Sequence, residues 1–405
     1  MRRVAHDFRT VLPILLLAIA SCTPAPEGAV AGWRCEGTFD EFAYGDVVSG
    51  KGEIQQGLGD PWVLESTIPS NTTEAMASVA AIRENKGQTE IWVKVKYGGL
   101  PLPAIRHDYW VYSVKQNSWT QYPGVIHPGV LVREILTTPD GRVFATSEPR
   151  DLFGTTNPPL LSELNETTRE FEYIEETLSL PSKLASATTG SILALVTLDV
   201  TGVFWVAEPG DGVYSYDPIA RSLERRIDLP ALDVSAFAMA PDGTGYILFS
   251  GELGDFTFGP HSLLELDFTT GTQTFVPDPD KVWPRAGSIL VTREGVLWLS
   301  VVGSYTPDRG WTLAHPDPEG HLAKTSGQLN DMIAPPRIAF ESSDGRLWLI
   351  HGLKGAAWYQ PDQDTGCWFS RYPTSVVEDG VGTLWAANGL QLYRLDAASQ
   401  STPKR

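Results

Sequence analysis

Cysteine, histidine and methionine are scarce in this 405-residue chain, at 3, 7 and 4 residues. Three cysteines exclude a small disulfide-dense scaffold, and no histidines stand at the close spacing that a metal centre uses. Positive charge is short as well. With 31 Lys+Arg against 49 Asp+Glu and a formal net charge of −18, the chain repels phosphate backbones and anionic headgroups, which excludes nucleic acid as a partner. No His-Glu-x-x-His, Gly-x-Ser-x-Gly or phosphate-cradling glycine loop occurs. What the chain has instead is 42% hydrophobic residues, 38 Gly, 30 Pro, 13 Trp, 13 Tyr and 15 Phe. That is too apolar for disorder, and it is the mix of many short strands and many turns.

The first residues divide into a basic start (Arg2, Arg3, Arg9), an apolar run from Val11 to Ala20 broken by Pro13, and Ile19-Ala20-Ser21-Cys22. The run is too short to span a bilayer and reads as a secretory signal. Its ending resembles the bacterial lipobox, which implies cleavage before Cys22, lipidation of that thiol and a membrane-anchored, extracytoplasmic protein. Residues 1–21 are then the signal peptide and 22–59 a tether and N-terminal extension. Two cysteines remain in an oxidising compartment, Cys35 and Cys367, and they are expected to pair.

Internal repeats organise the rest. Pro139-Asp140-Gly141-Arg142-Val143-Phe144 is echoed by Thr201 to Trp205, Pro241 to Tyr246, Glu294 to Trp298, Asp344 to Trp348, Gly382 to Trp385 and, more distantly, Gly87 to Trp92. The anchoring aromatics at 92, 144, 205, 246, 298, 348 and 385 recur every ~49 residues. Each copy expands into four strands. An apolar strand leads through the Gly turn to the aromatic strand; a third strand such as Gly212 to Asp217 follows, and a fourth closes near Pro123, Pro181, Pro230, Pro277 or Pro373. Seven such periods predict an all-β, seven-bladed β-propeller over residues 60–397, with a polar tail at 398–405. The seventh copy ends at Asp396 after three strands, while Pro61 to Ile68 is an orphan strand ahead of the first copy. The expectation is that this N-terminal strand completes the last blade.

Val377 to Leu390, with its Asp-Gly turn, Leu384-Trp385 and Gly389-Leu390, and Asp344 to Trp348 resemble the propeller repeats of two-component-regulator type. The resemblance implies the fold and says little of the task. Ser342-Ser343-Asp344-Gly345 is similar to an Asp-box turn of sialidase-like propellers, though one partial copy reads as a hairpin turn.

Loops between second and third strands share one face with the connections between blades, around the channel mouth, where ligands bind. Candidate ligand-binding residues there are Arg150, Asp151, Asp255, His261, Tyr305, Arg309 and His351. Aromatics mixed with both signs of charge suit a protein, peptide or carbohydrate. No cofactor is expected; Asp278, Asp280, Asp317 and Glu319 lack the alternation of an EF-hand calcium loop. The preferred reading is a monomeric, lipid-anchored binding or interaction module. The competing reading is a lyase or hydrolase, because streptogramin lyases are similar single-chain propellers that use an acid and histidines at the mouth. Glu319-Gly320-His321 is the one stretch of that kind, placed by the repeat in the hairpin between strands three and four of blade five, away from the mouth.

Overall fold

Six of the repeats form the same turn. The residue three before the turn glycine donates its N–H to the carbonyl just after that glycine and accepts the glycine N–H in return, at Thr138, Asp199, Ala240, Thr292, Ser342 and Asp379. The six glycines have φ between 81° and 90°, a region that penalises any side chain. Where the first residue is aspartate it also serves the anchoring tryptophan. Asp199 Oδ1 accepts the Val203 N–H and its Oδ2 the Trp205 indole N–H at 2.8 Å; Asp379 does the same for Thr383 and, at 2.9 Å, for Trp385.

Burial alone would raise the Asp199 carboxyl, but hydrogen bonds from Thr201, Trp205 and the Val203 and Thr201 amides outweigh it and hold it below the usual aspartate value. A group whose native pKa is depressed stabilises the fold above its unfolded pKa, near ~3.9, and loses that contribution as pH falls through the native value. Asp199→Ala is therefore expected to cost about 2 kcal/mol at neutral pH. The difference from wild type should shrink below pH ~4. Chemical denaturation between pH 7 and pH 2 checks this, and a difference that stays constant with pH counts against it.

The computed structural model describes residues 62–70, 75–85, 87–97, 106–127, 130–149, 161–175, 195–230, 232–252, 262–276, 288–299, 303–313, 337–351, 355–369 and 375–395. The strands in chain order begin with β1 (Val63–Thr67). Blade one holds β2 to β5 (Ala75–Asn85, Gln88–Tyr97, Arg106–Ser113, Ser118–Pro123), and blade two β6 to β10 (Val125–His127, Val130–Thr137, Val143–Pro149, Leu161–Asn165, Glu170–Tyr173). Blade three is β11 to β14 (Leu195–Leu198, Phe204–Glu208, Gly212–Asp217, Ser222–Asp228), and blade four β15 to β18 (Leu232–Met239, Thr244–Glu252, Ser262–Asp267, Thr272–Val276). Blade five is β19 to β22 (Ile289–Val291, Leu297–Leu299, Gly303–Thr306, Gly310–Leu313), and blade six β23 to β26 (Arg337–Glu341, Leu347–His351, Gly355–Gln360, Thr365–Phe369). Blade seven contributes β27 to β29 (Ser375–Glu378, Leu384–Asn388, Gln391–Leu395). Within each blade the strands pair in chain order from the inside outward, all antiparallel, and the anchoring aromatic lies on the second strand, except in blade two, where Phe144 lies on β8. Blade two departs from the expected four, because β6 adds a short fifth strand beside β7.

Closure is as the repeat predicts. β1 pairs antiparallel with β29, Val63 opposite Arg394 and Thr67 opposite Gln391, and the Ile68 N–H reaches the Leu390 carbonyl at 2.8 Å. Side chains tie the same strand to blade one: Trp119 donates its indole N–H to Ser66 Oγ at 2.9 Å, and the Tyr112 hydroxyl lies 2.9 Å from Glu65 Oε1. Burial, and then that carboxylate, push the Tyr112 hydroxyl up to about 12.

The hydrophobic core is divided among the junctions between blades. Trp62, Trp348, Trp358 and Tyr393 fill the space between blades six and seven; Ile68, Val93, Tyr112 and Trp385 that between seven and one; Trp92, Tyr109, Val143 and Phe171 that between one and two. Phe144 meets Phe204 edge-on at 4.7 Å between blades two and three. Acidic residues fasten the turns of successive blades: Glu341 of blade six accepts the Arg293 N–H of blade five at 2.7 Å, and Glu378 of blade seven accepts the Ser343 N–H of blade six at 2.6 Å. Among the described residues no helix is long and apolar enough to cross a membrane. Cys22 and Cys35 lie outside the described residues. Cys367 sits midway along β26, the outer strand of blade six, opposite Trp358.

Candidate functional site

Antiparallel pairing gives the two faces of the ring different joins. One face carries the turns within hairpins one-two and three-four. The other carries the joins from second to third strand and from blade to blade. On the first face the joins are tight, as in the shared Gly turn. On the second they include residues 98–105, 150–160 and 253–261 between strands, and 176–194, 277–287 and 314–336 between blades.

Arg150, Asp151, Asp255 and His261 belong to those joins and lie outside the described residues, as do Asp278, Asp280, Asp317 and Glu319. His351 ends β24, opposite Gly355, at the mouth end of its strand. Two candidates are placed elsewhere. Tyr305 is a strand residue of β21 rather than a loop residue: its ring packs 5.0 Å from Trp311, and its hydroxyl donates to Glu265 of blade four at 3.3 Å. Burial and the Glu265 charge raise its pKa. Arg309 lies in the turn between β21 and β22, on the face opposite the mouth. The reason is local. Gly303 to Thr306 is extended, and the tight turn forms instead at Pro307-Asp308-Arg309-Gly310, where Gly310 supplies φ 70°. By the same shift, Glu319-Gly320-His321 follows the fourth strand of blade five instead of lying in the hairpin before it. That stretch is outside the described residues.

The described mouth residues that do converge are on blade three, and sequence reading passed them over because their loop is minimal. β12 ends at Glu208, Pro209-Gly210 turns the chain, and Asp211 leads into β13. Glu208 and Asp211 are both buried. Asp211 accepts the Tyr214 hydroxyl on Oδ2 and the Arg225 guanidinium on Oδ1 at 3.1 Å, and its backbone carbonyl takes a second bond from Arg225 at 3.0 Å. Arg225 also pairs with Asp228 at 2.9 Å. Burial, then Asp211, push the Tyr214 hydroxyl up to about 12, so it remains a hydrogen-bond donor. Gly212 has no room for a side chain: a Cβ there would meet the Ile227 carbonyl at 2.6 Å and Arg225 Nε at 3.1 Å. Both Asp211 oxygens are thus engaged in fixing the loop, and the arrangement positions backbone more than it offers a free acid. The available signal was the acid-flanked Glu-Pro-Gly-Asp-Gly run itself. Among the described residues no three His, Cys, Asp or Glu side chains are arranged to hold a metal ion.

The architecture defines a seven-bladed β-propeller. No protein-family model matches the sequence, and no curated protein sequence does. Among solved structures, a streptogramin B lyase aligns over 82% of this chain and 95% of its own, with 12% identity and a TM-score of 0.51, which speaks for the fold alone. The extracellular domain of a hybrid two-component system from B. thetaiotaomicron aligns at 14% identity and TM-score 0.49, over 79% of this chain and 40% of that one. YCF48 bound to a D1 peptide aligns at 12% identity and TM-score 0.49, over 84% of this chain and 100% of that one.

Proposed function

We propose that this chain is an exported, lipid-anchored propeller that binds a protein, peptide or carbohydrate on the face carrying its long joins, as a monomer and without a cofactor. The observation that carries the reading is the asymmetry of the two faces. Tight, internally hydrogen-bonded turns close one of them, and a rigid ring presents every long join on the other, the usual division between scaffold and recognition surface. Lipidation at Cys22, following the signal, places the protein outside the cytoplasm. A bond between Cys35 and Cys367 fastens the N-terminal extension to the outer strand of blade six, next to the blade that β1 completes. Cys22→Ser is expected to release the protein from the membrane fraction, and unreduced mass analysis should show the Cys35–Cys367 pair.

The binding test uses a glycan array and a random-peptide library against the mature protein. Replacing residues 150–160 and 253–261 with short Gly-Asn turns should weaken retention of any bound probe by roughly tenfold or more, since those joins lie outside the paired strands. Unchanged retention, or no retained probe at all, rejects the proposal. Covalent conversion of a probe would favour the lyase or hydrolase reading at the same mouth.

A further inference from the structure

A ring closed by its own two ends invites the expectation that it parts where those ends meet. The side chains argue otherwise. At the junction of blades seven and one, both sides supply fully buried residues: Ile68, Trp385 and Leu392 from one blade, Ile91, Val93 and Tyr112 from the other. Two side-chain hydrogen bonds from blade one to β1 reinforce that junction. Blade four meets blade five in the same manner, with Tyr246, Leu248 and Leu263 against Leu297 and Leu299.

Between blades five and six the packing is one-sided. Blade six contributes the buried Ile338, Leu347, Leu349, Ala357 and Tyr359, whereas the described residues that face them from blade five, Leu290 and Trp298, are only partly buried. Six of the seven anchoring aromatics are buried, at 9% exposure or less, whereas Trp298 is only partly buried. Its ring meets Tyr359 edge-on at 5.9 Å. Among the described residues two polar contacts supplement this apolar layer: the Ile338 N–H donates to Ser288 Oγ at 2.8 Å, and the Arg293 N–H to Glu341 at 2.7 Å. Local opening follows the least buried apolar area and the most solvent-accessible hydrogen bonds.

We infer that the propeller opens first between blades five and six, and that the junction closed by β1 is among its most resistant. The mouth then gains a compliant side next to the end of β24, where His351 lies, while the opposite side stays fixed. This inference concerns the ring itself and stands whether or not the proposed ligand face is correct.

Native-state hydrogen exchange on the mature chain, read by mass spectrometry, tests it. Peptides covering β19, β20 and β23 should exchange roughly tenfold or more faster than those covering β1, β28 and β29. Glu341→Ala removes one of the two polar contacts and should speed exchange further in blades five and six while leaving blade seven unchanged. If that variant fails to fold, Glu341→Gln, which keeps an acceptor oxygen, should show a smaller change in the same peptides. Equal or faster exchange at β1 and β29, or a Glu341 variant whose blade five peptides exchange as wild type, overturns the inference.

Discussion

A chain that begins at Asn71, and therefore lacks β1, is expected to lose cooperative unfolding. The loss is large because the strand is a core element as well as an edge. Trp62 and Ile68 are 9% and 2% exposed and sit in two different junctions, one on each side of blade seven. Truncating a buried tryptophan costs about 3 to 5 kcal/mol and a buried isoleucine about 2 to 5. Together these approach the whole stability of an ordinary domain, about 5 to 15 kcal/mol. The deletion also strips β29 of its outer backbone partner, Trp119 of its Ser66 acceptor and Tyr112 of one of its two acceptors, Glu65. Thermal unfolding followed by near-ultraviolet circular dichroism should show a broad or absent transition, and a peptide of residues 60–70 supplied in trans should restore a sharp one. A shortened chain that melts sharply within a few degrees of the full one would show that closure is dispensable.

The second large effect is expected at Arg83. This side chain is 6% exposed, lies at the junction of blades one and two and reaches three partners: the Gly141 carbonyl at 2.6 Å, Glu90 at 3.2 Å and Glu166. Two of the three belong to blade two. Removing one member of a buried ion pair leaves the remaining charge and the carbonyl without compensation, at a cost of about 3 to 5 kcal/mol. The lower end is the better expectation, because Glu166 is 58% exposed and can return to water. Arg83→Ala should therefore lower the denaturation midpoint clearly, and Arg83→Met, which keeps the apolar stem, should recover part of the loss. If both variants match wild type, the cluster is a surface decoration.

Neither effect was visible in the linear sequence to the same degree. The orphan strand ahead of the first repeat announced closure, because a seventh copy with three strands needs a fourth. Arg83 gave no such notice: its two partners in blade two lie 58 and 83 residues away. The mouth shows the same division. His351 ends β24, a strand bounded locally by the Gly345 turn and the Leu347-Trp348 anchor. Tyr305 and Arg309 fall elsewhere because Gly303 to Thr306 pairs with β20 and β22 as a strand and the tight turn comes after it.

The amino-acid order alone determined the number of blades, the tight turns and the origin of the closing strand. Those depend on glycine at positive φ, on alternating apolar residues and on a repeat length, all of which are short-range or periodic. Only the tertiary structure decided which junctions are packed from both sides, which carboxylates fasten one blade to the next, and where Asp211, Tyr214 and Arg225 meet. Those contacts join residues brought together by the curvature of the ring, and burial between two blades is a property of the pair that neither segment carries by itself.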